Sequence, residues 1–371
     1  MPRYQPLPDF GSLKVAVVGD LIADHYMFAR PRRLSREAPV MVLSHEGEEV
    51  GAGGAANVAR NLRTLGAEVH MVGVIGGQAG DRGEEVLALL TDQGVDVTGV
   101  RVAPDWRTPV KTRILAAERR RSLQQILRID REASTLVSIE AQEQVATRLL
   151  EIGEDIDAVL IADYEYGTVG SPVGRAVSAM ARAEKIVVLD PRTMHDNYRG
   201  LTALTPNMDE MARFTGLSPE TFNEEGKLEH AAGAVMRRMA CRYLLVTRGN
   251  RGMQLFGEGM GVDGIGIPAS GLGEVTDVCG AGDTAAAVFA LALTSGLDPV
   301  AAMVMANAAS GVVVQEHGAS ACTAVELSEA MRTAPWPRET VSRDGYVVPT
   351  PETESSQSKP RRTPGSKNLQ A

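Results

Sequence analysis

The chain has 371 residues, 44% of them hydrophobic, and its 38 basic and 47 acidic side chains leave a net charge of −9. That length can bury a large core, and that charge argues against a general binder of nucleic acid or anionic membrane, which would show a basic excess. Three cysteines, Cys241, Cys279 and Cys322, are widely spaced, odd in number and without a CxxC pair, so neither a disulfide framework nor a zinc site is suggested and a reducing cytoplasm fits.

No stretch reads as an export signal or a membrane span, since the apolar run 299–314 is interrupted by Asn307, Ser310 and Gly311. Lys14-Val15-Ala16-Val17-Val18-Gly19-Asp20 is a β-branched apolar run closed by Gly-Asp, the form of a buried parallel strand whose C-terminal end carries function. Asp20 and Asp24 sit at and just past that end, where carboxylates can accept sugar hydroxyls or serve as loop and capping acids. Further strands at 69–74, 158–161, 186–189, 203–204 and 243–247 alternate with helical patterns such as 55–65, 84–93 and 174–184. Such alternation predicts a mostly parallel sheet with helices on both faces and a ligand site beyond the strands' carboxyl ends.

Two segments, 26–50 and 100–130, read as strands without intervening helices and predict a small accessory β-sheet acting as a lid. Lys111 and Arg113 alternate on one of its strands and so share a face. They are candidates for meeting a phosphate already on the substrate, or for a solvated basic edge that discourages strand pairing. Glu118-Arg119-Arg120-Arg121 reads as a solvated hairpin tip. After about residue 333 the composition turns to Pro, Ser, Thr and charge, which predicts a disordered polar tail over 333–371 behind a folded unit of 11–332.

The glycine-rich stretches carry the chemistry. Gly51-Ala52-Gly53-Gly54-Ala55-Ala56 formally matches the dinucleotide pattern G-x-G-x-x-[G/A] and would admit an NAD-dependent dehydrogenase, but it does not follow a good buried strand. The bare backbone of Gly53 and Gly54, with Asn57 in the first helical turn, suits a polyhydroxyl ligand; a tight loop into a helix is the alternative. Thr205-Pro206-Asn207-Met208-Asp209-Glu210 follows another strand, and Asn207 with Glu210 resembles a capping box. Glu210 could also hold Mg²⁺ through water, as that ion keeps part of its hydration shell. Thr247 and Gly249 end a strand at a glycine turn suited to a ribose or phosphate. Cys279-Gly280-Ala281-Gly282-Asp283-Thr284 has the form of an anion cradle, in which Gly280 and Gly282 let successive N–H groups converge at a helix start placed at Asp283. An acid there would repel phosphate unless it takes a proton from an attacking hydroxyl, which is phosphoryl-transfer chemistry; Asp283 as a plain helix cap is the alternative. No GxxxxGK[ST] occurs, so the chain is not a P-loop enzyme.

Together these residues resemble the PfkB/ribokinase family of carbohydrate kinases over roughly residues 13–331. The resemblance rests on Gly53-Gly54-Ala55-Ala56-Asn57 and on Asp277-Val278-Cys279-Gly280-Ala281-Gly282-Asp283-Thr284. Within the family the chain is most similar to the D-glycero-β-D-manno-heptose 7-phosphate kinases, through Gly19-Asp20, Asp24, Ser35-Arg36-Glu37-Ala38-Pro39-Val40, Gln124-Gln125-Ile126-Leu127-Arg128-Ile129-Asp130 and Thr205-Pro206-Asn207.

The resemblance implies a ribokinase-like three-layer α/β/α sandwich with a β-sheet lid, and ATP with Mg²⁺ as cofactors. Asp283 would be the base, with an anion hole of the Gly280, Ala281 and Gly282 N–H groups. Asp20, Asp24, Gly53, Gly54 and Asn57 would hold the sugar, and Asn207, Glu210, Thr247, Gly249 and Asn307 would serve ATP and Mg²⁺. Asp277 lies where family members often arrange a monovalent-cation site, which K⁺ would fill. Lids of the family often build a homodimer, for which Tyr26-Met27-Phe28 and Val40-Met41-Val42-Leu43 offer apolar surface. The heptose kinases typically read Asp-Tyr-x-Lys-Gly and Asp-Pro-Lys where this chain has Asp163-Tyr164-Glu165-Tyr166-Gly167 and Asp190-Pro191-Arg192, which leaves the acceptor open among sugars, sugar phosphates and nucleosides. A catalytically silent sugar or nucleotide sensor is the remaining alternative. Bifunctional relatives continue into an adenylyltransferase domain with an HxGH motif, so no nucleotidyl transfer is expected of this chain.

Overall fold

The computed structural model describes residues 6–117, 123–194, 197–271 and 276–337. The hairpin tip expected at 118–121 and the tail beyond 337 lie outside the described residues. The chain begins with β1 (Lys14–Leu34), β2 (Met41–Gly54), α1 (Ala55–Thr64), β3 (Glu68–Gly76), α2 (Gly83–Asp92), β4 (Asp96–Ala103), β5 (Val110–Ala116) and β6 (Gln124–Arg131). It continues through α3 (Ile139–Glu151), β7 (Ala158–Ala162), α4 (Ser171–Arg182), β8 (Ile186–Asp190), β9 (Ala203–Leu204), α5 (Met208–Thr215) and α6 (Lys227–Met239). Strands β10 (Tyr243–Thr247), β11 (Met253–Gly257) and β12 (Ile265–Ile267) precede α7 (Ala281–Thr294), α8 (Pro299–Val313) and α9 (Ala324–Met331).

The main sheet runs β12-β11-β10-β9-β8-β7-β1-β3-β4, parallel from β10 to β4, with β11 and β12 added antiparallel at one edge. Its central strands are uninterrupted apolar runs, Val15 to Val18 and the whole of β7 being buried, because a parallel sheet covered on both faces offers no solvent side for alternation. One core cluster joins it to α1, α7, α8 and α9, and the other joins it to α3, α4, α5 and α6. Helix α7 is apolar nearly all round and buried from Asp283 to Leu293, as a helix inside the core must be. The architecture is the expected ribokinase-like three-layer sandwich.

Strand β1 runs for 21 residues and belongs to two sheets. Lys14 to Asp20 pair with β3 in the main sheet, and Leu21 to Leu34 pair antiparallel with β2 and, from Ala23 to Ala29, parallel with β5, which in turn pairs with β6. The lid is therefore β2-β1-β5-β6. The expected lid segment 100–130 began too early: Val100 to Ala103 finish β4 at the edge of the main sheet, and the lid takes up the chain only at Val110. The glycines of the dinucleotide-like pattern close the antiparallel lid strand β2 instead of following a buried parallel strand, so the dehydrogenase alternative has no structural basis. Phe10 and Ala334 are buried and Trp336 packs on the core, so the folded unit reaches slightly past 11 and 332 at both ends. Among the described residues no helix is long and apolar enough to cross a membrane.

Candidate active site

The carboxyl ends of β1, β7, β8 and β10, the lid and the start of α7 enclose a cavity of about 210 Å³. Asp24, Lys111 and Arg113 face it from the lid, Gly54 from the entry to α1, and Cys279, Gly280, Gly282 and Asp283 from the start of α7. Asp190, Arg192, Asn207, Glu210 and Thr247 line the remaining wall. The structure thus gathers most of the residues picked from sequence around one space.

Gly280 caps α7 in a left-handed conformation, φ 76°, so the helix begins at Ala281, two residues before the expected start. Asp283 is its third residue and makes no cap, which removes the bland reading of this acid. Its Oδ2 accepts from Asn57 Nδ2 at 2.7 Å, and its Oδ1 accepts from the Tyr164 hydroxyl. Asn61, one turn after Asn57, donates to the Asn57 carbonyl at 2.9 Å and accepts from the Thr284 hydroxyl at 3.0 Å, tying α1 to α7 through a buried polar seam. Burial pushes the Asp283 carboxyl up to about 6, against the two hydrogen bonds, which favour its charged form.

The cradle differs in detail from its sequence reading. Gly282 lies in ordinary helical backbone with open space at its Cβ position, so only Gly280 needs the freedom of glycine. The Ala281 N–H is engaged by the Val278 carbonyl at 3.3 Å. The first turn of a helix leaves N–H groups without helical partners, and among the described residues those of Gly282 and Asp283 remain for an anion. A Cβ at Gly280 would stand 2.8 Å from Asn57 Nδ2 as well as adopting an unfavourable φ. Gly280→Ala is therefore expected to cost about 1–2 kcal/mol of local strain and to displace the amide that holds Asp283. We expect turnover reduced by about tenfold, checked by comparing kcat with the thermal midpoint; unchanged kcat would contradict the role of Asn57.

Asp20 requires a correction. It is fully buried, and its carboxylate accepts the backbone N–H groups of Tyr164 at 2.9 Å, Tyr166 at 3.2 Å and Thr168 at 3.0 Å. Asp20 organises the loop after β7 and, being fully buried and outside the cavity lining, does not reach a sugar there. Asp24 faces the cavity but is bound to Arg113 Nη1 at 2.6 Å, both side chains being buried. Burial opposes the Arg113 charge, yet Asp24 beside it raises the guanidinium above its ordinary value. Arg113 also stands over the Tyr26 ring at 5.4 Å, so it is no solvated strand edge. Lys111 sits 5.1 Å over the Tyr164 ring, its pKa lowered by burial. Gly53 matters by close approach, since a Cβ there would lie 2.7 Å from Asp24 Oδ2.

On the opposite wall, Asn207 and Glu210 form the capping box of α5 in full. Glu210 Oε2 accepts the Asn207 N–H at 2.8 Å while Oε1 faces Arg192 Nη1 at 3.3 Å. Burial raises its pKa against these contacts, and Asp190 is raised well above its usual range by burial and then by the charges of Glu210 and Asp283. Two carboxylates that resist sharing a dry wall suit a divalent cation, although no cluster of three metal-ligating side chains occurs among the described residues. Thr247 lines the cavity; Gly249 and Asn307 do not, Gly249 opening a short turn two residues on and Asn307 donating to the Pro268 carbonyl at 2.9 Å. Asp277 commits its two oxygens to the N–H groups of Cys279 at 2.9 Å and Gly318 at 3.1 Å, so its part in a K⁺ site rests on the resemblance.

Sequence reasoning missed Tyr164, Asp190 and Arg192 as site residues. Their motifs, at the carboxyl ends of β7 and β8, stand where a parallel sheet places function, and that position was the available signal.

A buried acid at a helix start, beneath a lid and facing acidic and basic walls, is an arrangement suited to phosphoryl transfer to an alcohol group. The chain matches the description pfkB family carbohydrate kinase over residues 12–326 and belongs to that family. It is 38% identical to the Bifunctional protein HldE of Geobacter metallireducens over 321 residues, 86% of this chain and 63% of that protein. It is 36% identical to the Bifunctional protein HldE of Methylococcus capsulatus over 337 residues, 90% of this chain and 67% of that one. The chain thus spans a little under two thirds of the first of these relatives. Among solved structures, Arabidopsis thaliana ribokinase, complexed with ribose and ATP, superposes with a TM-score of 0.65 at 23% identity, covering 86% of this chain and 98% of that one. Escherichia coli phosphofructokinase-2 in complex with potassium gives 0.68 at 16% identity, covering 89% and 98%.

Proposed function

We propose that this carbohydrate kinase transfers the γ-phosphoryl group of ATP to the anomeric hydroxyl of D-glycero-β-D-manno-heptose 7-phosphate. The observation that carries the reading is Asp283, a carboxylate oriented by two donors at the first turn of α7 and facing a cavity roofed by Lys111 and Arg113. Asp283 removes the proton of the attacking hydroxyl, while the free N–H groups at the start of α7 meet charge developing on the transferred group. Asp24, Gly53, Gly54 and Asn57 shape the sugar's place. Asn207, Thr247 and, beyond the cavity, Gly249 and Asn307 serve ATP. Glu210, with Asp190 beside it, would hold Mg²⁺ through water, which supplies charge neutralisation on the phosphates. Support for a phosphorylated acceptor comes from the two lid cations and from the similarity to proteins named HldE. The lid leaves Leu34, Val40, Met41, Ile126, Leu127 and Ile129 about half or more exposed, apolar surface that a second copy would cover.

ADP release with D-glycero-D-manno-heptose 7-phosphate, beside ribose, fructose and fructose 6-phosphate, tests the acceptor. A kcat/KM at least about tenfold above the others, worth about 1.4 kcal/mol of transition-state preference, is expected. A better unphosphorylated sugar would reassign the acceptor, which Tyr166 and Arg192 in place of the usual lysines make the leading alternative. No release with any acceptor would favour a silent sensor.

The base also fixes the pH dependence. Asp283 works when ionised, and burial raises its pKa to about 6, so activity is full above that value and falls as pH drops through it. We expect kcat to fall about tenfold per pH unit below the midpoint. Because the sugar phosphate's own second ionisation lies at about 6, kcat at saturation, not kcat/KM, is the quantity to follow. A kcat flat to pH 4.5 would exclude this base.

A further inference from the structure

The Tyr164 ring touches two elements that the sequence keeps far apart. Its hydroxyl donates to Asp283 Oδ1 at the start of α7, and its face lies under the ammonium group of Lys111 on lid strand β5, 5.1 Å from the ring centroid. Its backbone is fixed independently, because the Tyr164 N–H donates to Asp20 at 2.9 Å and Asp20 also binds the N–H groups of Tyr166 and Thr168. The hydroxyl is therefore held from below by a rigid loop and from above by the lid.

We propose that Tyr164 is a positioning residue that links the lid to the catalytic base: its hydroxyl aims and holds the Asp283 carboxylate, and Lys111 sets where that hydroxyl stands. The inference rests on the assignment of Asp283 as base. A carboxylate has about four acceptor sites; Asn57 takes one on Oδ2 and Tyr164 one on Oδ1, which leaves a lone pair on each oxygen for the substrate hydroxyl. Tyr164 is suited to donate throughout, since burial and then the Asp283 and Asp190 charges raise its phenol well above the usual value. The charged groups around Asp283 are Asp24 from β1, Lys111 from β5 and Asp190 from β8. Asp24 opposes its ionisation, Lys111 with the two hydrogen bonds favours it, and the Asp283 charge in turn raises Asp190. Lid opening would withdraw Lys111 from the ring and loosen the donor together, so the base would be fully formed only under a closed lid.

The test uses the unliganded full chain with ¹³C-labelled aspartate carboxyls, the Asp283 signal being identified by its loss in Asp283→Asn. Tyr164→Phe keeps the ring and removes the donor. We expect the Asp283 midpoint to rise by about one pH unit, the size of one hydrogen bond's share in such shifts, and the acid limb of kcat to rise with it. An unmoved midpoint overturns the proposal, whatever happens to kcat, because a merely structural tyrosine would lower activity at all pH values alike. Should the phenylalanine variant fail to fold, 3-fluorotyrosine at position 164, a more acidic and stronger donor of nearly the same shape, must move the midpoint down; no movement overturns it equally. Lys111→Met is expected to raise the midpoint in the parent and by less than half as much in Tyr164→Phe. Equal shifts in both backgrounds would overturn the link to the lid. Full activity in Asp283→Asn would instead overturn the assignment of the base itself, so the two failures are separable.

Discussion

Asp283→Asn is expected to lose kcat by at least about 100-fold, the lower end of acid–base contributions, while the KM values for ATP and sugar stay within a few fold. The prediction depends on the fold surviving the change. Asn has the same shape, and its amide must replace one acceptor oxygen by a donor. The Tyr164 hydroxyl can turn to accept from that NH₂ group, so the Oδ1 contact is kept with its direction reversed. The Asn57 amide continues to donate to the remaining oxygen. Removing a buried charge also relieves repulsion from Asp24 and Asp190, so thermal stability should be unchanged or slightly higher. Rapid-quench single turnovers with steady-state binding separate the two effects. A variant that keeps more than about a tenth of kcat would mean that positioning alone carries this reaction.

The contrast between Asp283 and Asp20 explains what the sequence could and could not show. The place of Asp283 at a helix start facing the cavity was legible because it is set locally: the glycine that turns the chain, the first helical turn and the acid lie within four consecutive residues. The parallel sheet was legible for the same reason, since burial on both faces imposes an unbroken apolar run on each strand. Asp20 sits in an equally suggestive place, one residue after Gly19, yet its partners are three backbone N–H groups from residues 164 to 168. Backbone donors carry no side-chain signature, so no pattern near Asp20 could announce them. The position of Tyr164 just after β7 was readable, but its two side-chain contacts, from β5 and α7, were not. The misplaced lid boundary at 100–109 has another cause, because an edge strand such as β4 with several half-buried or exposed positions looks, by composition, like a strand of a small open sheet.

Arg113→Met should destabilise the protein by about 3–5 kcal/mol, the cost of breaking a buried ion pair from one side. The side chains of Arg113 and Asp24 are each only 7% exposed, and they meet at 2.6 Å. Methionine fills similar space but leaves the Asp24 carboxylate dry, unpaired and facing the ionised Asp283. The partner strands explain why the chain tolerates such a pair at all. Asp24 and Arg113 lie on adjacent parallel strands, Tyr26 being opposite Arg113 in register and stacking on it, so the geometry that compensates desolvation is set by the backbone. The double variant Asp24→Asn/Arg113→Met leaves no buried charge there and should recover at least half of the lost stability, measured by urea unfolding. Additive losses in the double variant would show that the two side chains contribute separately. The same cycle decides the chemistry at the lid. If the guanidinium also meets a substrate phosphate, Arg113→Met must raise KM for the phosphosugar while Asp24→Asn, which frees Arg113 from its partner, leaves phosphate affinity intact or stronger. If KM moves in neither, Arg113 meets no substrate phosphate, and the Asp24–Arg113 pair serves to fix β1 against β5, the strand that carries Lys111 to the cavity and to the Tyr164 ring.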